Sequence, residues 1–147
     1  GDPHTKAQRQ QKGRQIAMAQ MLQDVAKADV VLVNPTHYAV ALKWRRGDRS
    51  APICVAKGVD DMAARIREEA EKHGIEMFAA PPLARALYFS TEVDQAVPES
   101  LYLAVAQVIA YVFSLADVRP GVAPMLKPQP KVPASMLFDA NGKLMTS

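Results

Sequence analysis

At 147 residues, 49% of them hydrophobic, the chain is long enough for one domain with a core and too apolar to be disordered throughout. No apolar run approaches the length of a bilayer span and no signal-peptide pattern is present, so a soluble chain is expected. The net charge of +3 sits in residues 1–27, where Lys6, Arg9, Lys12, Arg14 and Lys27 meet only Asp2 and Asp24. Aromatics are 6% and interleave with no basic stripe, which argues against nucleic acid as a partner. The basic leading segment fits an anionic lipid surface or another acidic surface, or else a solvated helix.

Residues 5–27 contain no proline and one glycine, and Met18, Met21, Leu22 and Val25 follow helical spacing, so a helix is expected that turns apolar on one face towards its end. Asp29 to Val33 is a β-branched run and predicts a buried strand, and Tyr38 to Trp44 predicts the next. Arg45 to Ser50 is a polar loop with Gly47 and Asp48 as turn formers. Ile53 to Lys57 is a third strand and carries Cys54, the single cysteine, which is expected to be a small buried core residue. Asp60 or Asp61 is placed to cap a helix running to about His73 on the inner face of Ala63, Ile66 and Ala70, with Gly74 as its left-handed end. Opposite charges four apart, Arg65/Glu69, Arg67/Glu71 and Glu68/Lys72, mark the solvated face of that helix.

Ile75 to Ala79 is a fourth strand, and Pro81-Pro82 starts a short helix. A last helix follows Pro98, with Leu101, Val105, Val108 and Val112 on one stripe and Tyr102, Ala106, Ile109 and Phe113 on the next. The tight connection between the first two strands predicts an antiparallel pair, and the strand–helix–strand unit 53–79 predicts a right-handed crossover between parallel strands. The expected fold is α/β, a small four-stranded mixed sheet surrounded by helices. It divides into a basic helical linker 1–27, a domain 28–116 and a Pro-rich tail 117–147. Five of eleven prolines lie in that tail, which should be extended and mobile; Ser135 to Phe138 could dock or stay unordered.

Asn34-Pro35-Thr36-His37 interrupts the first two strands. The Asn34 side-chain nitrogen can attack its own backbone carbonyl carbon, closing a succinimide and expelling the Pro35 nitrogen, which cuts the chain. Pro35 has no N–H, so the competing deamidation cannot start from it, and it biases Asn34 towards extended geometry. His37 can carry a proton near neutral pH and the Thr36 hydroxyl can fix the turn. No metal or cofactor is required. The alternative is an ordinary turn with a structural histidine. His4, His37 and His73 lack metal-ligand spacing, Ser90-Thr91-Glu92 reads as turn or cap material, and no Gly-rich phosphate loop follows a strand.

These residues resemble a known family. Asn34-Pro35-Thr36-His37, Gly1 to Lys6, Ala56 to Asp60, Pro81 to Tyr88, Glu92 to Gln95 and Val97 to Glu99 are similar, in order, to motifs of the cytoplasmic domain of the FlhB/YscU family, the switch proteins of type III secretion export gates. The resemblance covers residues 2–115, and Tyr38, Ala56 to Asp60 and the double proline are closer to the flagellar branch. It implies self-cleavage at Asn34 and Pro35, shaped and assisted by Thr36 and His37, with the two pieces staying associated. It also implies a multi-pass membrane part preceding this domain at the cytoplasmic face of the bacterial inner membrane. The implied partners are other export-gate components, the hook-length control protein and exported flagellar substrates, with a switch from rod and hook subunits to filament subunits. Two features depart from the family pattern: Gln15 to Gln23 lacks the family's arginine cluster, and 117–147 lies outside the shared domain. The competing functional classes are a non-cleaving interaction domain of a secretion apparatus and a small α/β enzyme or nucleotide-binding protein.

Overall fold

Side chains that alternate along one central strand organise the molecule. In the computed structural model, residues 3–44, 50–117, 119–123 and 125–145 are described. The polar loop expected at Arg45 to Ser50 lies outside them, Ser50 excepted, as do Gly1 and Asp2. The elements in chain order are α1 (Pro3–Asp24), a 3-10 turn (Val25–Lys27), β1 (Val30–Asn34), β2 (Tyr38–Lys43), β3 (Ile53–Val59), α2 (Asp61–Lys72), β4 (Glu76–Ala79), α3 (Pro81–Ser90), α4 (Glu99–Ala116) and a second 3-10 turn (Ala134–Met136).

The sheet order is β3-β2-β1-β4, with β1 antiparallel to β2, β2 antiparallel to β3, and β1 parallel to β4. This is the expected mixed α/β sheet. β3 and β4 run parallel as expected, but they are not neighbours: the β3–α2–β4 connection crosses the whole sheet and leaves them on opposite edges. β1, in the interior, is buried along its full length. Its Val30 and Leu32 point into one core with Val40, Leu42, Cys54, α3 and α4. Val31 and Val33 point into the other, with Ala39, Ala41, Ala56 and the inner face of α2, Ala63, Ile66 and Ala70. The period of two along a strand supplies both faces from five residues.

α1 joins the molecule by its end. Val25 is fully buried and Met21 and Leu22 pack beside it, whereas Ile16 and Met18 are exposed. Gly74 takes the left-handed conformation (φ 69°) that ends α2. Among the described residues Glu69 pairs with His73 at 3.4 Å.

α4 amends the hydropathy reading. At 18 residues and a mean hydropathy of 1.5 it is long and apolar enough, by length and composition, to cross a membrane. Here Leu101, Val105, Val108 and Ile109 are buried in the core shared with α3. Cys54 is fully buried, and burial, partly offset by Lys57, pushes its thiol up to about 12. At mildly alkaline pH it holds about a thousandfold less thiolate than a free cysteine. A thiol reagent should therefore label the folded chain negligibly and label it at once in denaturant; rapid labelling of the folded chain would contradict this packing.

The tail differs most from its sequence reading. Lys127 to Pro130 shares a cleft with Phe78, Ala79, Ala80 and Pro82 beside the β4 edge, with the Lys127 ammonium 5.2 Å from the Phe78 ring centre. Prolines on an edge cannot extend the ladder. Val132 and Met136 pack on the α3–α4 core, and residues 137–145 double back as a short antiparallel turn bridged at Phe138 and Leu144. Docking of Ser135 to Phe138 is thus the arrangement the structure adopts.

Candidate functional site

Asn34 is the last residue of β1, Tyr38 the first of β2, and the two are Cα partners, so Pro35, Thr36 and His37 form the whole connection. The His37 backbone N–H donates to the Asn34 carbonyl oxygen at 2.8 Å and closes a four-residue turn. Pro35 occupies the second position of that turn, where its fixed φ is favourable. Asn34 is 9% exposed while Pro35, Thr36 and His37 are exposed. Among the described residues no hydrogen bond ties the Asn34 side-chain amide. The next carbonyl upstream, that of Val33, accepts the Ala80 N–H at 3.0 Å, so the strand end is clamped from the β4 side too. The four candidate residues are thus consecutive and held by backbone on both flanks.

That turn places a donor where the chemistry needs one. The oxygen receiving the His37 N–H belongs to the Asn34–Pro35 peptide bond itself. A donor fixed on this oxygen polarises the carbonyl and stabilises negative charge developing on it during attack.

Asp60, just beyond the end of β3, completes the turn. The sequence offers it, or Asp61, as a helix cap; it does precede α2, but its carboxylate makes no cap hydrogen bond. Its backbone N–H instead donates to the His37 carbonyl at 2.8 Å, and its Oδ1 lies 3.4 Å from His37 Nδ1. Asp60 holds φ 52°, ψ −111°, a strained conformation for a residue with a Cβ. Both side chains are solvent-exposed, so the pair orients the imidazole more than it stabilises the fold. Asp60 lies 23 residues from His37, and no local spacing in the sequence reveals the link.

Behind the turn lies an aromatic shelf. The Tyr38 ring is 4.9 Å from Tyr88 and 5.5 Å from Phe89, centre to centre. Burial foremost, then Tyr88 and Asp60, raises the Tyr38 phenol above its ordinary pKa, so it remains a donor at neutral pH. Lys57 ties β3 to the same shelf: its Nζ donates to the Tyr88 carbonyl at 2.9 Å and lies 3.4 Å from Glu92. Asp94, Gln95 and Val97 exchange backbone hydrogen bonds with Cys54 and Pro52, covering the outer edge of β3. Lys57, Tyr88 and Glu92 therefore bring the stretches 56–60, 81–88 and 92–97 together beside the turn, from where Asp94 to Val97 runs along β3 to Pro52, just before its start. Among the described residues no three His, Cys, Asp or Glu side chains gather as a metal site. An apolar cleft of about 200 Å³ lies elsewhere, on α4, lined by Trp44, Pro52, Tyr102, Ala106, Ile109 and Phe113.

Residues 1–112 match the FlhB HrpN YscU SpaS family. The flagellar biosynthetic protein FlhB of Bacillus subtilis is 50% identical over 113 residues, 77% of this chain and 31% of that protein. The hypersensitivity response secretion protein HrcU of Ralstonia nicotianae is 45% identical over 126 residues, 84% of this chain and 35% of that protein. The chain thus spans about a third of the length of these relatives. The crystal structure of the cytoplasmic domain of FlhB from Shewanella putrefaciens superposes with a TM-score of 0.70 at 44% identity, covering 82% of this chain and 95% of that one. An EscU C-terminal domain bearing an asparagine-to-aspartate mutation superposes with a TM-score of 0.60 at 30% identity, covering 63% of this chain and 98% of that one.

Proposed function

The chain belongs to the FlhB HrpN YscU SpaS family, and we propose that it is the cytoplasmic part of a flagellar type III export protein, which cuts itself between Asn34 and Pro35 and so switches the class of substrate exported. In the full-length protein α1 leads from a membrane-embedded part at the cytoplasmic face of the inner membrane. Its partners are other export-gate components, exported flagellar subunits and the hook-length control protein, whose arrival accompanies the change from rod and hook subunits to filament subunits.

The observation that carries this reading is the hydrogen bond from His37 N–H to the carbonyl oxygen of the Asn34–Pro35 bond, in a turn where no hydrogen bond among the described residues ties the Asn34 amide. The Asn34 Nδ2 attacks its own backbone carbonyl carbon and loses a proton. Charge gathers on the oxygen that His37 N–H holds. The C–N bond to Pro35 then breaks, its electron pair stays on the proline nitrogen, and that nitrogen gains a proton. The products are a succinimide at residue 34, opened later by water, and a long piece beginning with Pro35. His37, oriented by Asp60, is the nearby group able to move the proton, and its exposure lets water substitute for it.

The rates of three variants test these roles, read from the appearance of a fragment whose N-terminal residue is number 35. His37→Ala should slow scission about 10–100-fold. Asp60→Asn should slow it by no more than about fivefold, the scale of an exposed pair. Pro35→Ala restores the N–H and should divert the chain to a deamidated, uncut product. Wild-type rates in all three would leave the turn without the chemistry assigned to it.

A further inference from the structure

The hairpin in the tail touches the shelf behind the turn at several points. Arg85 Nε donates to the Phe138 carbonyl at 2.7 Å, the Tyr38 hydroxyl donates to the Ala140 carbonyl, and the Phe138 ring lies 5.2 Å from Phe89. The hairpin is also closed on itself. Asp139 Oδ1 accepts the backbone N–H groups of Asn141 and Lys143, each at 2.9 Å, and the Met145 N–H donates to the Leu137 carbonyl at 2.7 Å. Gly142 fits both ends of this arrangement. Its φ of 84° is left-handed, and a Cβ there would come within 2.7 Å of a Phe89 ring carbon.

We propose that the Tyr38–Phe89–Arg85 shelf is a peptide-binding site whose occupant is residues 137–145 of this same chain, and that this hairpin is a reversible clasp on the Asn34–His37 turn. Tyr38 is the link. It is bonded to His37, pairs with Asn34 across the sheet and is 4% exposed beneath the hairpin. Holding its hydroxyl restrains the first residue of β2, to which Pro35, Thr36 and His37 are tethered. The clasp is reversible because a hairpin this short is marginal alone and is held by few contacts. Its position close to the turn lets clasp opening and turn mobility share one equilibrium.

The test uses the 147-residue chain carrying Asn34→Ala, so that the clasp is read whether or not the Asn34–Pro35 bond breaks in the wild type. Gly142→Val and Phe138→Ala are added singly, both in the tail and outside the sheet, and hydrogen exchange is followed over residues 35–40. Each should speed exchange there by about fivefold, the scale of one hydrogen bond's net contribution, and make 137–145 susceptible to protease. A synthetic peptide of residues 135–147 added to the Gly142→Val chain should return exchange at 35–40 to the parent rate. Unchanged exchange in both variants, a tail that stays protease-resistant in the Gly142→Val chain, or a peptide without effect would each overturn the clasp.

Discussion

Replacing Asn34 by Ala should leave one uncut, folded chain. Scission through a succinimide needs a nitrogen nucleophile able to close a small ring on the Asn34 carbonyl carbon, and the Asn34 side-chain amide is that nitrogen. No neighbouring side chain can take its place: Thr36 and His37 are exposed on the far side of the bond, and Asp60 faces His37. The loss should be complete on a time scale at which the parent is fully cut. Folding should survive, because Asn34 stands at the end of β1 and its backbone bonds to Tyr38 and His37 do not require the amide. Asn34→Asp should behave alike at neutral pH, since a carboxylate offers no nitrogen. Electrophoresis under denaturing conditions with circular dichroism of the same samples checks both halves of this expectation; a cut Asn34→Ala chain would move the nucleophile elsewhere.

Leu32→Ala should have the largest effect on stability and on the hold between the two pieces. Leu32 is fully buried in the interior strand, between β2 and β4, and faces the core built by α3 and α4. Removing it costs about 2–5 kcal/mol, from lost burial and the cavity left behind. In the uncut Asn34→Ala chain this should lower Tm by about 10 °C. In a chain cut after Asn34 the consequence should be sharper. The short piece is then held only by non-covalent contacts, chiefly the β1 ladder and the burial of Val30 to Val33 on two faces. Cut wild-type protein should elute as one species on native size exclusion, whereas cut Leu32→Ala should shed residues 1–34 on dilution. Equal retention in both would place the hold outside β1.

The sheet and its helices were legible because each carried a local signal. Val30 to Val33 and Tyr38 to Trp44 are β-branched and apolar runs separated by a proline-containing turn, and Ala63, Ile66 and Ala70 repeat at helical spacing. The strand order was less so, since local pattern gives direction between consecutive strands and not which edge β3 and β4 occupy. Asp60 escapes a sequence reading for a physical reason. A carboxylate just before a helix is ordinarily a cap, and only the fold reveals that the end of β3 brings it against His37. The tail escapes it because proline content reports on backbone stiffness and not on docking partners. The signal inside it is Asn141-Gly142, a pair suited to hairpin turns, and the aromatic residues that receive it lie on α3 and β2.

The most direct test of self-cleavage is the intact mass of the purified wild-type chain, recorded with no protease present under native and then denaturing conditions. Scission at Asn34–Pro35 predicts a single complex in the native spectrum with the mass of the whole chain, plus one water once the succinimide has opened. On denaturation it should resolve into one piece covering residues 1–34 and one covering residues 35–147, the second beginning with proline. A single uncut chain in both spectra after prolonged incubation at neutral pH would contradict it and make Asn34-Pro35-Thr36-His37 a turn without chemistry.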